Sequence, residues 1–290
     1  MQLDLWGVRG TIPSPGADKV RYGGHTMCSS IKLLDGSRLV VDAGTGIKDL
    51  GDALMKEAAA SGAAPRVVLL LTHFHLDHIM GFPFFAPLYA PGAIVTIYSP
   101  VSPAETEGCL AGLMGGWYYP LEMTETAAEK TFFRFGDGLK AGGVRITSCP
   151  LHHPGGSVAY RLDVEEPAGA GSGPMRRAAG TAGGSVVFST DTEPPDGKLD
   201  ERLAGFARGA GLMISDAMYT PEEYASGKKG WGHSTWLEAV KTARAAGVER
   251  LLLSHFNPDH DDAAVDDIAR RAAEALPGTA AARQGMILAW

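Results

Sequence analysis

Short apolar runs, bounded by glycine-rich and polar turns, recur along the chain and alternate with segments whose apolar residues return every three or four positions. Strands are predicted at Leu3–Val8, Cys28–Leu34 and Arg38–Asp42, with Asp35-Gly36-Ser37 as the hairpin turn between the last two. Residues 9–27 show neither period and read as a long irregular loop. Gly46–Ala60 carries Ile47, Leu50 and Leu54 at helical spacing, and Arg66–Leu71 follows as a continuous apolar run of the kind that fills sheet interiors. Further strands are predicted at Ala93–Tyr98, Val144–Ser148, Val158–Val164, Ser185–Ser189, Leu212–Ser215, Arg250–Leu253 and Met286–Ala289. Helices are predicted near 103–114, 234–246 and 262–275. Strands and helices interleaved throughout predict an α/β fold.

The low-complexity stretch Glu165–Gly184, rich in Gly, Ala and Pro, lies between two strand-like runs and reads as a flexible hairpin extension at about 165–184. No internal repeat is visible. The chemically distinctive segments run from residue 73 to residue 255 without a composition break, so residues 1–290 are expected to form a single domain. Within it, residues 101–135 form an insert whose centre, Leu113-Met114-Gly115-Gly116-Trp117-Tyr118-Tyr119-Pro120, is aromatic.

At 290 residues, 45% of them hydrophobic, the chain has the size to bury roughly three quarters of its unfolded surface, which excludes disorder for most of it. No run approaches the ~20 apolar residues that span a bilayer. The start, Met1-Gln2-Leu3-Asp4-Leu5-Trp6, has no basic region leading into an apolar one, so a cytoplasmic location is expected, with no membrane partner. Cys28, Cys109 and Cys149 form no C-x-x-C pair and suggest neither a disulfide framework nor a cysteine metal site. The net charge of -7 weighs against a large nucleic-acid partner, because such a chain gains little from counterion release. A small anionic substrate remains compatible, since a bound dication outweighs a mildly acidic surface locally. A homodimer is also compatible with this composition.

The strongest chemical signal is Thr72-His73-Phe74-His75-Leu76-Asp77-His78, where a buried strand ends. Three imidazoles and a carboxylate within six residues are borderline ligands that suit zinc first, and also manganese or iron. Three isolated candidates follow later strand-like runs. Leu151-His152-His153-Pro154-Gly155-Gly156 offers one of two adjacent histidines, His153 being preferred for its place before Pro-Gly-Gly. Taken alone, Asp191 reads as a turn residue ahead of Pro194-Pro195, and His255 as a cap near a helix start.

The spacing H-x-H-x-D-H after an apolar strand, followed in order by His153, Asp191 and His255, resembles the metallo-β-lactamase superfamily over nearly the whole chain. That resemblance implies a four-layer αββα sandwich and two divalent metal ions. One would be held by His73, His75 and His153, the other by Asp77, His78 and His255, with Asp191 shared between them. True metallo-β-lactamases usually carry Cys where Asp191 stands, which speaks against antibiotic hydrolysis. Gly232-His233-Ser234-Thr235, Ile214-Ser215-Asp216-Ala217 and the opening Gly7-Val8-Arg9-Gly10-Thr11 look instead like the phosphodiesterase branch, which includes ribonuclease Z and the cyclic phosphodiesterases of phosphonate breakdown.

By that resemblance Asp77, His233 and Asp216 are the catalytic residues. Two dications would lower the pKa of a shared water toward about 7, and His233, oriented by Asp216, would protonate the leaving oxygen. Ser234 or Thr235 also fits a helix N-cap with Glu238 three or four residues on. The implied substrate is a small or cyclic, nucleotide-like phosphodiester. Thioester or lactone hydrolysis uses the same metal site and is the alternative, with tRNA 3′ processing or a non-catalytic metal-binding domain behind it. Ribonuclease Z carries a long tRNA-gripping arm between the positions of His153 and Asp191, where this chain has about twenty extra residues and only Arg176 and Arg177 as basic groups. His25, Trp117, Tyr118 and Tyr119 are candidate substrate contacts.

Overall fold

The computed structural model describes residues 1–165, 184–195 and 198–289, so most of the predicted extension at 165–184 lies outside the described residues. β1 (Gln2–Gly7), β2 (Cys28–Lys32) and β3 (Arg38–Val41) form an antiparallel meander, the tight Asp35–Ser37 turn setting the register in which Ser30 faces Val40. From β3 the chain crosses over through α1 (Ile47–Ser61) to β4 (Arg66–Leu70), then through α2 (Leu76–Ile79) to β5 (Ile94–Ser99) and through α3 (Pro103–Ala111) to β6 (Glu129–Arg134). All three of these pairings are parallel.

The second sheet repeats the plan. β7 (Leu139–Ala141), β8 (Val144–Leu151), β9 (Ser157–Val164) and β10 (Ser185–Ser189) are antiparallel neighbours. Crossovers through α4 (Glu201–Phe206), α5 (Pro221–Ala225) with α6 (Trp236–Ala246), and α7 (Asp262–Ala275) then place β11 (Leu212–Asp216), β12 (Leu251–Ser254) and β13 (Thr279–Ala281) in parallel. β14 (Ile287–Ala289) returns to the first sheet and pairs with β1. Each sheet thus has seven strands among the described residues, ordered β14-β1-β2-β3-β4-β5-β6 and β13-β12-β11-β10-β9-β8-β7.

Successive strand residues face opposite sides of a sheet, and the burial follows that period. Leu39 and Val41 point into the core shared with Ile146, Tyr160, Leu162 and Val187 of the second sheet. Val40, between them, belongs to a separate core with Ile47, Leu50 and Leu54 of α1 and with Phe82, Phe85 and Leu88. α6 and α7 cover the outer face of the second sheet with Val240, Ala243, Val265 and Ile268. The result is the four-layer αββα sandwich.

The candidate metal centre

Every candidate ligand sits where a strand delivers its carboxyl end, the usual place for a site in open α/β sheets. Asp42 follows β3, the His73–His78 segment follows β4, His153 follows β8, Asp191 follows β10, Asp216 ends β11 and His255 follows β12. Among the described residues, four non-glycine residues have left-handed backbone: Thr11 (φ 69°), Asp42 (63°), Asp191 (59°) and His255 (58°). Three of them are cluster residues and the fourth, Thr11, donates its N–H to Asp77 Oδ2 at 2.7 Å. Such conformations cost of order 1–3 kcal/mol each and persist only where surroundings enforce them. Here they turn side chains inward at the instant each strand ends.

Among the described residues four overlapping groups of ligand atoms lie within 4.8 Å of one another: His73, His75 and His153; Asp77, His78, Asp191 and His255; and two that include His233, one with His153 and Asp191 and one with Asp216 and His255. The first two are taken as the ligand groups. Asp191 lies between them, with Oδ1 3.7 Å from His73 Nε2 and 3.3 Å from His255 Nε2, and Oδ2 3.0 Å from His78 Nε2. Outer hydrogen bonds orient the rings. His153 Nδ1 donates to the Gly232 carbonyl at 2.8 Å and His78 Nδ1 to Asp42 Oδ2 at 2.8 Å, so each ring turns an Nε2 lone pair inward. Asp42 also accepts from the N–H of Thr72 at 2.8 Å, fixing the residue before His73. His152 points elsewhere: its ring is 46% exposed, near Arg202 and Asp200.

The electrostatics suit a cation. Asp191 is 1% exposed, yet neither of its carboxylate oxygens has a hydrogen-bond partner, and buried His73 Nε2 has none either. An ionised carboxylate left so is very costly unless positive charge compensates it. Burial opposes ionisation of Asp77 and Asp191, but the imidazoles of His78 and His255 outweigh it and hold both well below the usual carboxylate range. Burial, reinforced by neighbouring rings, holds His73 well below the usual imidazole range and also lowers His153, leaving neutral nitrogen donors. Burial opposes the charged form of His78 too, but Asp191, Asp77 and Asp42 prevail and raise it well above the usual imidazole range, so without metal this ring shares the carboxylates' charge. Imidazoles and ionised carboxylates in this number fit divalent metal, which would take that proton's place.

Beside the ligands stands a hydrogen-bonded pair. Asp216, fully buried, accepts from His233 Nδ1 at 2.9 Å and from the N–H groups of Asp191 and Met218. Burial lowers the affinity of His233 for a proton, but Asp216, with Asp191 and Asp77 adding, prevails and the ring is pushed up to about 9. Thr235 caps α6, accepting from the N–H of Glu238, while Ser234 donates to the Thr192 carbonyl at 2.6 Å. The segment therefore starts a helix and presents His233 to the cluster at once.

The aromatic candidates lie apart. Trp117 and Tyr118 are 98% and 83% exposed. Tyr119 donates no contact to the ligands; it packs edge-on against Phe84 and shares a hydrogen bond with Tyr89. His25 is held by Thr45 at 3.0 Å and Asp49 at 3.4 Å, and lines a cavity with Phe84, Met80 and Lys48. Sequence reading overlooked Asp42 and Glu193. The signal for Asp42 was an acid ending the apolar run Val40-Val41 just before the Gly44-Thr45-Gly46 turn. Glu193 accepts from the N–H groups of Gly230 and Gly232, each at 2.8 Å, and so holds the loop that orients both His153 and His233.

The β-lactamase superfamily domain model matches residues 37–256, three quarters of the chain, and the chain belongs to that superfamily of metal-binding hydrolases. Among curated relatives, Ribonuclease BN of Escherichia coli is 27% identical over 250 residues, covering 73% of this chain and 77% of the relative. Among solved structures, a diphosphatase of the PhnP family aligns over 100% of this chain and 97% of its own, with TM-score 0.64 and 18% identity. Zinc-bound PqqB from Methylobacterium extorquens aligns over the whole of both chains, with TM-score 0.67 and 16% identity. At these identities the two structures bear on the fold alone, and they share the metallo-β-lactamase sandwich.

Proposed function

We propose that this protein is a dinuclear metal-dependent phosphodiesterase acting on a small or cyclic, nucleotide-like phosphodiester. The observation that carries the reading is the Asp216–His233 pair, standing with His233 Nδ1 3.8 Å from Asp191. His73, His75 and His153 would hold one ion and Asp77, His78 and His255 the other, with Asp191 between them. Zinc is the first candidate, supported by the donor set and by the zinc in the fold relative PqqB. When bound, the ions supply positive charge against the phosphate oxygens and lower the pKa of water enough for attack near neutral pH.

The chain's own groups do the remaining work. Asp77, anchored by the Thr11 N–H and His255, fixes the second ligand group. His233 carries the proton that the departing alkoxide needs, and Asp216 holds its ring so that Nε2 is the free donor atom. Thioester cleavage releases a thiolate, a better leaving group with less need of such a pair, whereas a lactone releases an alkoxide and is separated from the diester only by the substrate panel below. The name of the relative Ribonuclease BN supports phosphodiester chemistry.

The test is turnover of bis(p-nitrophenyl) phosphate, a 2′,3′-cyclic nucleotide, a tRNA precursor, a thioester and a lactone by metal-loaded protein, with elemental analysis. The reading expects about two ions per chain and diester cleavage dominating the panel. One ion per chain under saturating metal, or a preference for the thioester or lactone, would reject it. The similarity to Ribonuclease BN favours an RNA substrate as the second reading, and preferential cleavage of the tRNA precursor would select it.

A further inference from the structure

A cavity of about 560 Å³ opens directly beside the first ligand group, with His73 and His75 in its wall. Its remaining lining is built by the first and second sheets together: Phe74 after β4, Pro100 and Val101 after β5, and Phe135 after β6 face Pro150 of β8 and Val158 of β9. Beyond the two ligands, no lining residue carries a charge, and Ser148 and Ser157 are the polar side chains. The Ser157 residue is 3% exposed and its hydroxyl has no hydrogen-bond partner. A second cavity at the cluster, with His153 in its wall, differs in kind, since Glu193 and Lys229 also line it.

A charged group placed among Phe74, Val101, Phe135 and Val158 would lose its hydration without gaining a partner, at high cost. An uncharged aromatic or hydrocarbon group would gain from apolar burial and from edge or face contact with the two phenylalanines. The volume lies within the range of pockets that enclose a small organic ligand. We infer that this cavity is the subsite for one ester substituent of the substrate, and that the substituent is an uncharged aromatic or apolar group, a nucleobase being a member of that class. The inference rests on the phosphodiesterase reading and names what that diester carries: one substituent without charge, seated on the His73–His75 side.

The test compares binding of dimethyl phosphate and 1-naphthyl methyl phosphate to the metal-loaded protein, both as inhibitors of bis(p-nitrophenyl) phosphate turnover, and the latter also by naphthyl fluorescence, with dimethyl phosphate as the displacing ligand. The naphthyl ester is expected to bind roughly 10- to 100-fold more tightly, the gain from burying one aromatic side chain's worth of surface. A carboxylated naphthyl analogue should lose that gain. Val101→Trp, and independently Ser148→Phe, should fill the cavity and bring the ratio close to one while metal content and melting temperature stay unchanged. Equal binding of the two esters by the wild-type protein, with turnover intact, overturns the inference. So does a preference that survives both filling variants. Absence of diester turnover with the fluorescence preference intact instead rejects the phosphodiesterase reading and leaves the apolar subsite standing.

Discussion

On the proposed reading, Asp191 and His233 would divide the work of the site between a buried charge and a movable proton, and the difference predicts different failures. Removing the proton donor should matter only when the leaving group needs a proton. His233→Ala is therefore expected to slow a diester with an alkyl or ribose leaving group by about 10²- to 10⁴-fold, and p-nitrophenolate release far less, with metal content unchanged. Leaving-group dependence of kcat/KM checks this, and equal losses on both substrates would assign His233 to positioning. At this scale the sequence was legible wherever ligands cluster: His73, His75, Asp77 and His78 announce themselves by density. His153 was preferred to His152 only for its place before Pro-Gly-Gly; what orients it is a carbonyl 79 residues away, that of Gly232, which spacing does not show. Asp42 escaped for the same reason, its role being visible only once β3 and β4 lie side by side and bring it to His78 and Thr72.

Among the elements, the loop from Lys228 to His233 carries more of the site than its length suggests. Gly232 has φ +87°, and a Cβ there would fall 2.3 Å from His153 Nδ1, the atom that its own carbonyl orients. Gly232→Ala should therefore displace His153, weakening metal affinity by about 10- to 100-fold and reducing stability by about 1–3 kcal/mol. Metal titration and thermal melts measure the two effects separately, and unchanged affinity would break the link between this loop and the first ligand group. The elements the pattern revealed are those buried on both faces, such as β4 and β10, or long enough to show a period, such as α1, α6 and α7. The edge strand β6, Glu129-Lys130-Thr131-Phe132-Phe133-Arg134, alternates poorly because both of its ends are exposed. β7 and β13 have three residues each, and α4 and α5 have six and five, all shorter than the window over which a period can be recognised.

At the scale of the whole molecule, two ties join distant parts of the chain. The first fastens the irregular loop 9–27 to α7 through Tyr22, whose hydroxyl donates to Asp266 at 2.7 Å. Burial, and then the Asp266 carboxylate, push this phenol up to about 12, against about 10 in an unfolded chain. Because the folded form holds the proton more tightly, the contribution is fully present below pH 10 and is lost as pH rises through about 12. Tyr22→Phe should lower stability at pH 8 by about 1 kcal/mol and flatten the decline between pH 10 and 12, as read by urea denaturation. The same steep decline in the variant would show that Tyr22 does not govern it.

The second tie is the ligand cluster, which draws on both sheets. His73, His75, Asp77 and His78 come from the end of β4 in the first sheet, while His153, Asp191 and His255 come from the ends of β8, β10 and β12 in the second. In the unfolded chain these donors are scattered over more than 180 residues and cannot be assembled without folding, so metal binding is coupled to the stability of the sandwich itself. At a free metal concentration 100 times Kd, the folded state gains about 2.7 kcal/mol per site. For a chain of this size that corresponds to a rise in Tm of roughly 4–5 °C per site. Chelator should reverse it, and the rise should be graded with metal concentration. Asp191→Ala removes the one carboxylate placed between the two groups, so it should abolish most of this shift as well as one bound ion. If chelator left Tm unchanged in the wild-type protein while removing its metal, the ions would bind the unfolded chain about as well as the folded one, and the cluster would not be coupled to the joining of the two halves.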